Sequence, residues 1–115
     1  MKYVLFIYQA KSYDPKALSA AEYQAVAAGY AAVNTNPKVK PGAPLGQLKD
    51  AITVRVSDGK PVATRGPYVE EAGGSVGGFL ELEAESEEEA IRLAAQIPAA
   101  RQGGAVEIRP SSVYW

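Results

Sequence analysis

The stretch from Asp58 to Glu85 decides the fold and reads DGKPVATRGPYVEEAGGSVGGFLELEAE. Its Asp58-Gly59 pair predicts a tight hairpin turn, because both residues accept the positive φ that such turns need. Gly66-Pro67 predicts a corner, and the four glycines within residues 70–78 predict an exposed loop. Alternating apolar residues and glutamates then predict a strand over residues 78–84.

Patterns typical of helices and strands lie on both sides of this stretch. Ser19 and Glu22 have the spacing of a capping box and predict a helix to about residue 34, and Ser86 and Glu89 predict a second one. The predicted strands are residues 3–9, 51–56, 61–64, 78–84 and 104–109. Residues 38–46, rich in Pro and Gly, are either irregular or a short edge segment. The order predicts an α+β fold of the ferredoxin-like (split βαβ) kind, with two helices on one face of an antiparallel sheet.

The other face of this sheet has no cover within the chain. Phe6, Tyr8 and Phe79 are the aromatic residues that this face could carry. A sheet face with exposed aromatic side chains needs a partner. We therefore expect a homodimer in which two sheet faces meet across a two-fold axis.

Composition excludes several classes of function. A chain of 115 residues predicts one domain over residues 1–115. A net charge of −1 argues against nucleic acid, and no apolar run is long enough for a membrane span. The chain has neither His nor Cys, so a metal site built on imidazole or thiolate is excluded, and we expect neither metal nor cofactor. With no secretory signal recognised, we expect a cytoplasmic protein.

An ordered set of motifs runs through most of the chain. They are Thr53-Val54-Arg55, Asp58-Gly59-Lys60-Pro61, Gly66-Pro67-Tyr68-Val69-Glu70, Gly77-Gly78-Phe79-Leu80-Glu81-Leu82, Glu89-Ala90, Ile97-Pro98-Ala99-Ala100 and Val106-Glu107-Ile108-Arg109-Pro110. This set resembles the YCII-related family, and most closely the DGPF branch, which is named for an Asp-Gly-Pro-Phe motif. The resemblance implies a dimeric α+β barrel built from ferredoxin-like subunits, and it implies no particular reaction.

The chain departs from the family pattern at the motif itself. Arg65 stands where the motif has Asp, and Tyr68 stands where it has Phe. In the broader family a His-Asp pair is linked to catalysis. This chain has no His, so that mechanism cannot be carried over.

The candidate site residues are arginines, tyrosines and glutamates. Arg55 and Arg65 could hold an anionic group through paired hydrogen bonds, with Tyr8 and Tyr68 beside them. Tyr23 and Tyr30 could line the same phenolic pocket, although core packing with a hydroxyl at the rim explains the tyrosines better. Glu70 and Glu81 are the weak candidates for a catalytic base. Each of these charges could instead be a solvated side chain or half of an ion pair.

Three functions fit these residues. The first is the binding of a small organic ligand in a cleft between helix and sheet, and one version of this hypothesis has an anionic ligand. The second is a cofactor-free enzyme of the isomerase, lyase or oxygenase type acting on small acids, with a Glu base and an Arg anion holder. The third is an accessory or regulatory module without chemistry. The fold serves all three, so the choice depends on the site.

Overall fold

Six strands and three helices account for the regular structure of the computed structural model, which describes residues 1–69 and 74–111. The elements are β1 (Lys2–Ala10), α1 (Ala20–Asn34), β2 (Val39–Pro44), β3 (Ile52–Ser57), β4 (Lys60–Arg65), β5 (Gly74–Glu83), α2 (Glu87–Ala94), α3 (Pro98–Arg101) and β6 (Ala105–Pro110). Two 3-10 turns, Pro15–Ala17 and Leu48–Asp50, lie in the connections.

The main sheet has the strand order β2-β5-β1-β6, and each neighbouring pair is antiparallel. In this order β5 lies between β1 and β2, and β1 lies between β5 and β6. Each helical crossover therefore joins two strands that have a third strand between them, which is the split βαβ arrangement. The α+β, ferredoxin-like fold predicted from the sequence is confirmed.

The predicted position of one strand in this sheet is wrong. Residues 51–56 were expected to supply a strand of the main sheet, but β3 pairs only with β4 in a separate two-stranded sheet. β2, from the Pro- and Gly-rich segment, instead pairs with the outer side of β5 and forms the edge of the main sheet. Prolines are tolerated at an edge because their missing N–H is not needed for a further ladder there.

The β3–β4 hairpin stands apart from the sheet. Its turn has Asp58 at φ 51° and Gly59 at φ 76°, as the Asp-Gly pair predicts. Hydrogen bonds at its base join the Gly66 N–H to the Ala51 carbonyl and the Thr53 hydroxyl to the Gly66 carbonyl. Its aliphatic side chains are largely exposed, Val56 at 71%. The radius of gyration, 16.1 Å, exceeds the roughly 13 Å of a compact chain of about this length.

The core lies between one face of the main sheet and the helices. Its buried members are Tyr3, Leu5, Ile7, Val33, Leu80, Leu82, Ala84, Ala90, Ala94, Ile97 and Ala99. The alternation of β1 buries Tyr3, Leu5 and Ile7 against the helices and leaves Val4 and Phe6 half-buried on the other face. The helices contribute mostly small residues, so the aliphatic side chains of the strands provide most of the apolar burial.

Both predicted helix starts are confirmed. Ser19 caps α1 in a complete capping box with Glu22. Ser86 accepts a hydrogen bond from the Glu89 N–H at the start of α2, whereas the Glu89 carboxylate accepts from the Glu85 N–H, so only half of a capping box forms there. Asp14 caps the first 3-10 turn. Lys38 donates to the Glu89 carboxylate and lowers its pKa, which ties the start of β2 to the first turn of α2.

Candidate functional site

A cavity of about 370 Å³ opens between α1 and the main sheet. Its walls come from α1, β1, β2 and β5, so each of the two βαβ halves contributes to it. The lining residues are Ile7, Gln9, Tyr30, Asn34, Pro41, Gly42, Ala43, Pro44, Gly77, Gly78, Phe79 and Leu80. This volume lies at the lower end of the range that small-molecule sites occupy.

Two irregularities of the sheet fall on the wall of this cavity. In the β2–β5 ladder Pro41 pairs with Leu80 and Ala43 with Phe79, so Gly42 is the extra residue. The β1–β5 ladder skips Gly77 in the same way. A side chain at Gly42 would lie 2.3 Å from the Phe79 carbonyl oxygen, so only glycine fits there. Bulges of this kind bend strands and are frequent beside functional sites.

The polar side of the cavity is built from Gln9, Tyr30 and Asn34. The Gln9 amide Nε2 donates to the Tyr30 hydroxyl at 3.2 Å. The Gln9 Oε1 atom is buried, and within residues 1–69 and 74–111 it has no hydrogen-bond partner. Burial raises the pKa of the Tyr30 hydroxyl, and the hydrogen bond from Gln9 acts in the opposite direction. Tyr30 is therefore neutral near pH 7 and can donate as well as accept.

The rest of the lining is uncharged and mostly apolar. None of the described residues around this cavity is an Asp, Glu, Lys or Arg. An ion that entered would lose hydration without gaining an opposite charge from the lining, which is costly. The cavity accordingly suits a neutral molecule with an apolar body.

The arginines predicted to bind a ligand lie elsewhere, on the hairpin. Arg55 on β3 places its guanidinium 5.6 Å from the centre of the Tyr68 ring, so the structure brings these two candidates together. Both side chains are exposed, as is Arg65 on β4. None of the three lines the cavity between α1 and the sheet.

Tyr8 and Glu81 are also separate from this cavity. Tyr8 is on β1 and borders a second, more open depression of about 420 Å³, with Gln9, Gly74, Gly104 and Glu107 among its neighbours. Glu81 is half-buried on β5, and its carboxylate lies 4.0 Å from Lys40 Nζ. Glu70 lies outside the described residues. The predicted combination of a carboxylate base with an arginine is not brought together at the cavity.

The sheet face opposite the helices carries a mixed surface. Phe6 and Phe79 are directly paired on β1 and β5. The Arg109 guanidinium lies 5.4 Å from the centre of the Phe6 ring and 2.6 Å from the Glu107 carboxylate. Phe79 is 38% exposed, so part of this aromatic surface faces solvent in the single chain.

Sequence reasoning identified Tyr30 as one of several tyrosines but missed Gln9 and Asn34. Gln9 follows a run of apolar residues in β1. A polar residue at the end of such a strand could have indicated a polar group at a site. Asn34 was interpreted only as part of the helix end. The glycines were noticed for their flexibility, whereas here Gly42 and Gly77 mark bulges.

Comparison with known proteins places the chain in a family. A search of curated proteins gives no match. Among the described residues, no helix has the length and apolar character needed to cross a membrane. The family model of the YCII-related domain matches residues 1–112, which is nearly the whole chain and includes the cavity and the hairpin. The chain belongs to the YCII-related family.

Proposed function

We propose that this YCII-related protein binds a small, neutral organic molecule in the cavity between α1 and the main sheet. The observation that carries the proposal is the cavity of about 370 Å³ with an apolar wall and one polar side. Sites for small molecules have this character, a mostly apolar concave surface with few well-placed polar groups. The two glycine bulges that shape the wall support the same proposal.

The test is a screen of neutral fragments read by amide NMR of the labelled protein. We expect binders to shift the backbone signals of Ala43, Gly77 and Gly78 and the side-chain NH₂ signal of Gln9. At tenfold excess over its Kd, a binder should stabilise the protein by about 1.4 kcal/mol in thermal unfolding.

A blocking substitution supplies the control. Asn34→Trp places a large ring at the exposed rim of the cavity and should abolish these shifts. Ala32→Trp, at an exposed position of α1 outside the lining, should leave them unchanged. Fragments that bind both variants equally, or that shift only residues elsewhere, would contradict the proposal.

The enzyme hypothesis and the anionic-ligand hypothesis have less support than a neutral ligand in the cavity. They rest on Arg55, Arg65, Glu70 and Glu81, and no described contact joins an arginine of the hairpin to Glu81. An accessory role needs no cavity, and the screen above separates it from ligand binding. The DGPF branch and a cytoplasmic location stay predictions from the sequence.

We further propose a homodimer through the sheet faces. The support is the aromatic pair Phe6 and Phe79 on the face opposite the helices, together with the half-buried Val4. Covering such a face removes apolar surface from water. A two-fold pairing would also set the Arg109 and Glu107 charges at the rim against those of the partner.

Light scattering tests this dimer. We expect a mass twice the 12.1 kDa of the chain at micromolar concentration. Phe6→Glu should halve that mass, because an unpaired carboxylate would be buried in the contact. Val56→Glu, on the exposed hairpin, should leave the mass unchanged. A wild-type mass of one chain would overturn the dimer, and circular dichroism would verify that each variant is folded.

A further inference from the structure

We infer that the ligand of the cavity carries a hydrogen-bond donor and an acceptor side by side, as a primary amide or a lactam does. This inference rests on the proposed function. It comes from the Gln9–Tyr30 pair on the polar side of the cavity. An apolar body on the ligand would contact Ile7, Leu80 and the prolines of β2.

The pair leaves two complementary hydrogen-bonding groups unused. The Gln9 Oε1 acceptor is buried and unpartnered among the residues that the structure describes. Tyr30 accepts from Gln9 Nε2, so its own hydroxyl hydrogen is not used in that bond. A buried acceptor without a partner is unfavourable, and a donor from a ligand would satisfy it.

Exchanging the two ends of the Gln9 amide does not change this complementarity. In the exchanged orientation, Tyr30 donates to Oε1, and Nε2 becomes the unpartnered group while the Tyr30 oxygen can still accept. Both orientations therefore present one donor and one acceptor. Rotation about the Cγ–Cδ bond of a glutamine is broad, so the buried Gln9 amide can turn toward a ligand in the cavity.

The remaining lining narrows the class of ligand. A carboxylate would meet the unpartnered Gln9 oxygen and find no cation among the described lining residues. A ketone or an ester offers acceptors only, and a hydrocarbon offers neither group. A primary amide or a lactam supplies both groups within one rigid plane and stays uncharged.

Four probes with one ring and different polar groups test the inference: benzamide, acetophenone, benzoate and toluene. Binding is followed at the Gln9 side-chain NH₂ and the Gly77 amide by NMR titration. We expect benzamide to bind about tenfold more tightly than acetophenone, as one added hydrogen bond predicts, and still more tightly than toluene, which can form neither of the two hydrogen bonds. Benzoate should bind more weakly than benzamide.

Two variants locate the preference. Gln9→Leu removes the acceptor for the ligand N–H, so benzamide should lose its preference over acetophenone. Tyr30→Phe removes the hydroxyl that donates to the ligand carbonyl and should lower the preference for benzamide over toluene about tenfold while toluene binding persists. Tyr30→Phe is the milder change and keeps the ring in place if Gln9→Leu fails to fold. A preference for benzamide over toluene that is unchanged in Tyr30→Phe would overturn the inference.

The outcomes separate the inference from the proposal on which it rests. Equal binding of benzamide, acetophenone and toluene in the cavity would leave the proposed function standing and overturn the inference. Tightest binding by benzoate would overturn the inference and would also contradict the neutral ligand of the proposed function. If a broad neutral fragment screen also finds no binder at the cavity, the proposed function itself fails. If a water molecule alone satisfies Gln9, benzamide will leave the Gln9 side-chain amide signal unchanged. That result would overturn the inference as well.

Discussion

Leu5→Ala is expected to lower the free energy of unfolding by about 2–5 kcal/mol. Leu5 lies in the central strand of the sheet and is only 1% exposed. Its removal leaves a void between β1 and the helices, and the surrounding strands can close it only in part. Urea denaturation followed by circular dichroism measures the loss of unfolding free energy. An unchanged slope of that free energy against urea concentration would indicate that the folded and unfolded states are otherwise similar in the variant.

Leu45→Ala is the matched control for this experiment. The chemical change is the same, but Leu45 is 49% exposed in the connection after β2. Its backbone N–H bonds to the Gly77 carbonyl, and that contact does not depend on the side chain. We expect a change within about 0.5 kcal/mol. Equal losses in the two variants would contradict the position of Leu5 in the core.

Gly104→Ala is expected to destabilise the protein by about 1–3 kcal/mol, although it adds a single methyl group. The new Cβ would lie 2.1 Å from the Tyr8 carbonyl oxygen and 2.9 Å from the Ala99 carbonyl oxygen. Both oxygens belong to the backbone, so β1 or α3 must shift to make room. A fall in melting temperature of about 4 °C per kcal/mol is the corresponding readout.

Gly46→Ala tests whether the cause is this close approach. No atom lies within 4 Å of the Cβ that would be added at Gly46, which is also a glycine outside the strands. Alanine there should be neutral or slightly stabilising, because it restricts the unfolded chain. If Gly46→Ala and Gly104→Ala lowered the melting temperature equally, steric contact at Gly104 would not be the reason.

Local patterns predicted the helix caps and the hairpin turn because local contacts form them. The Ser19 and Ser86 caps and the Asp58-Gly59 turn are all present. The alternation in β1 correctly divided its residues between two faces. Each of these features depends on residues that are close in the chain, where spacing alone carries the information. The exposed loop predicted within residues 70–78 is wrong from Gly74 on, because β5 begins there and is not exposed over residues 74–78.

The wrongly placed strand, β3, shows which information residue spacing does not contain. The pattern of β3 is a better strand signal than that of β2, which contains two prolines and a glycine. Propensity measures how well a residue fits a strand and does not determine which strand it joins. β2 takes the place beside β5 through long-range pairing, in which its bulge at Gly42 accommodates Phe79.

The cavity could not be predicted from the sequence for a related reason. Arginines and glutamates attracted attention because charged groups are frequent in catalysis, but Arg55 and Arg65 project from an exposed hairpin. The cavity depends on Gln9 and Tyr30, which are 21 positions apart and meet only when α1 packs on the sheet. No spacing rule links a glutamine at a strand end to a tyrosine within a helix.

The central position of β1 has a consequence for synthesis on the ribosome. β1 is made before its neighbours β5 and β6. At usual translation rates the roughly 100 residues between the ends of β1 and β6 take roughly 5–20 s to appear. Until β5 and β6 emerge, the apolar strand β1 has no ladder partners. Chaperones that hold short hydrophobic segments of nascent chains should therefore protect this protein most at β1.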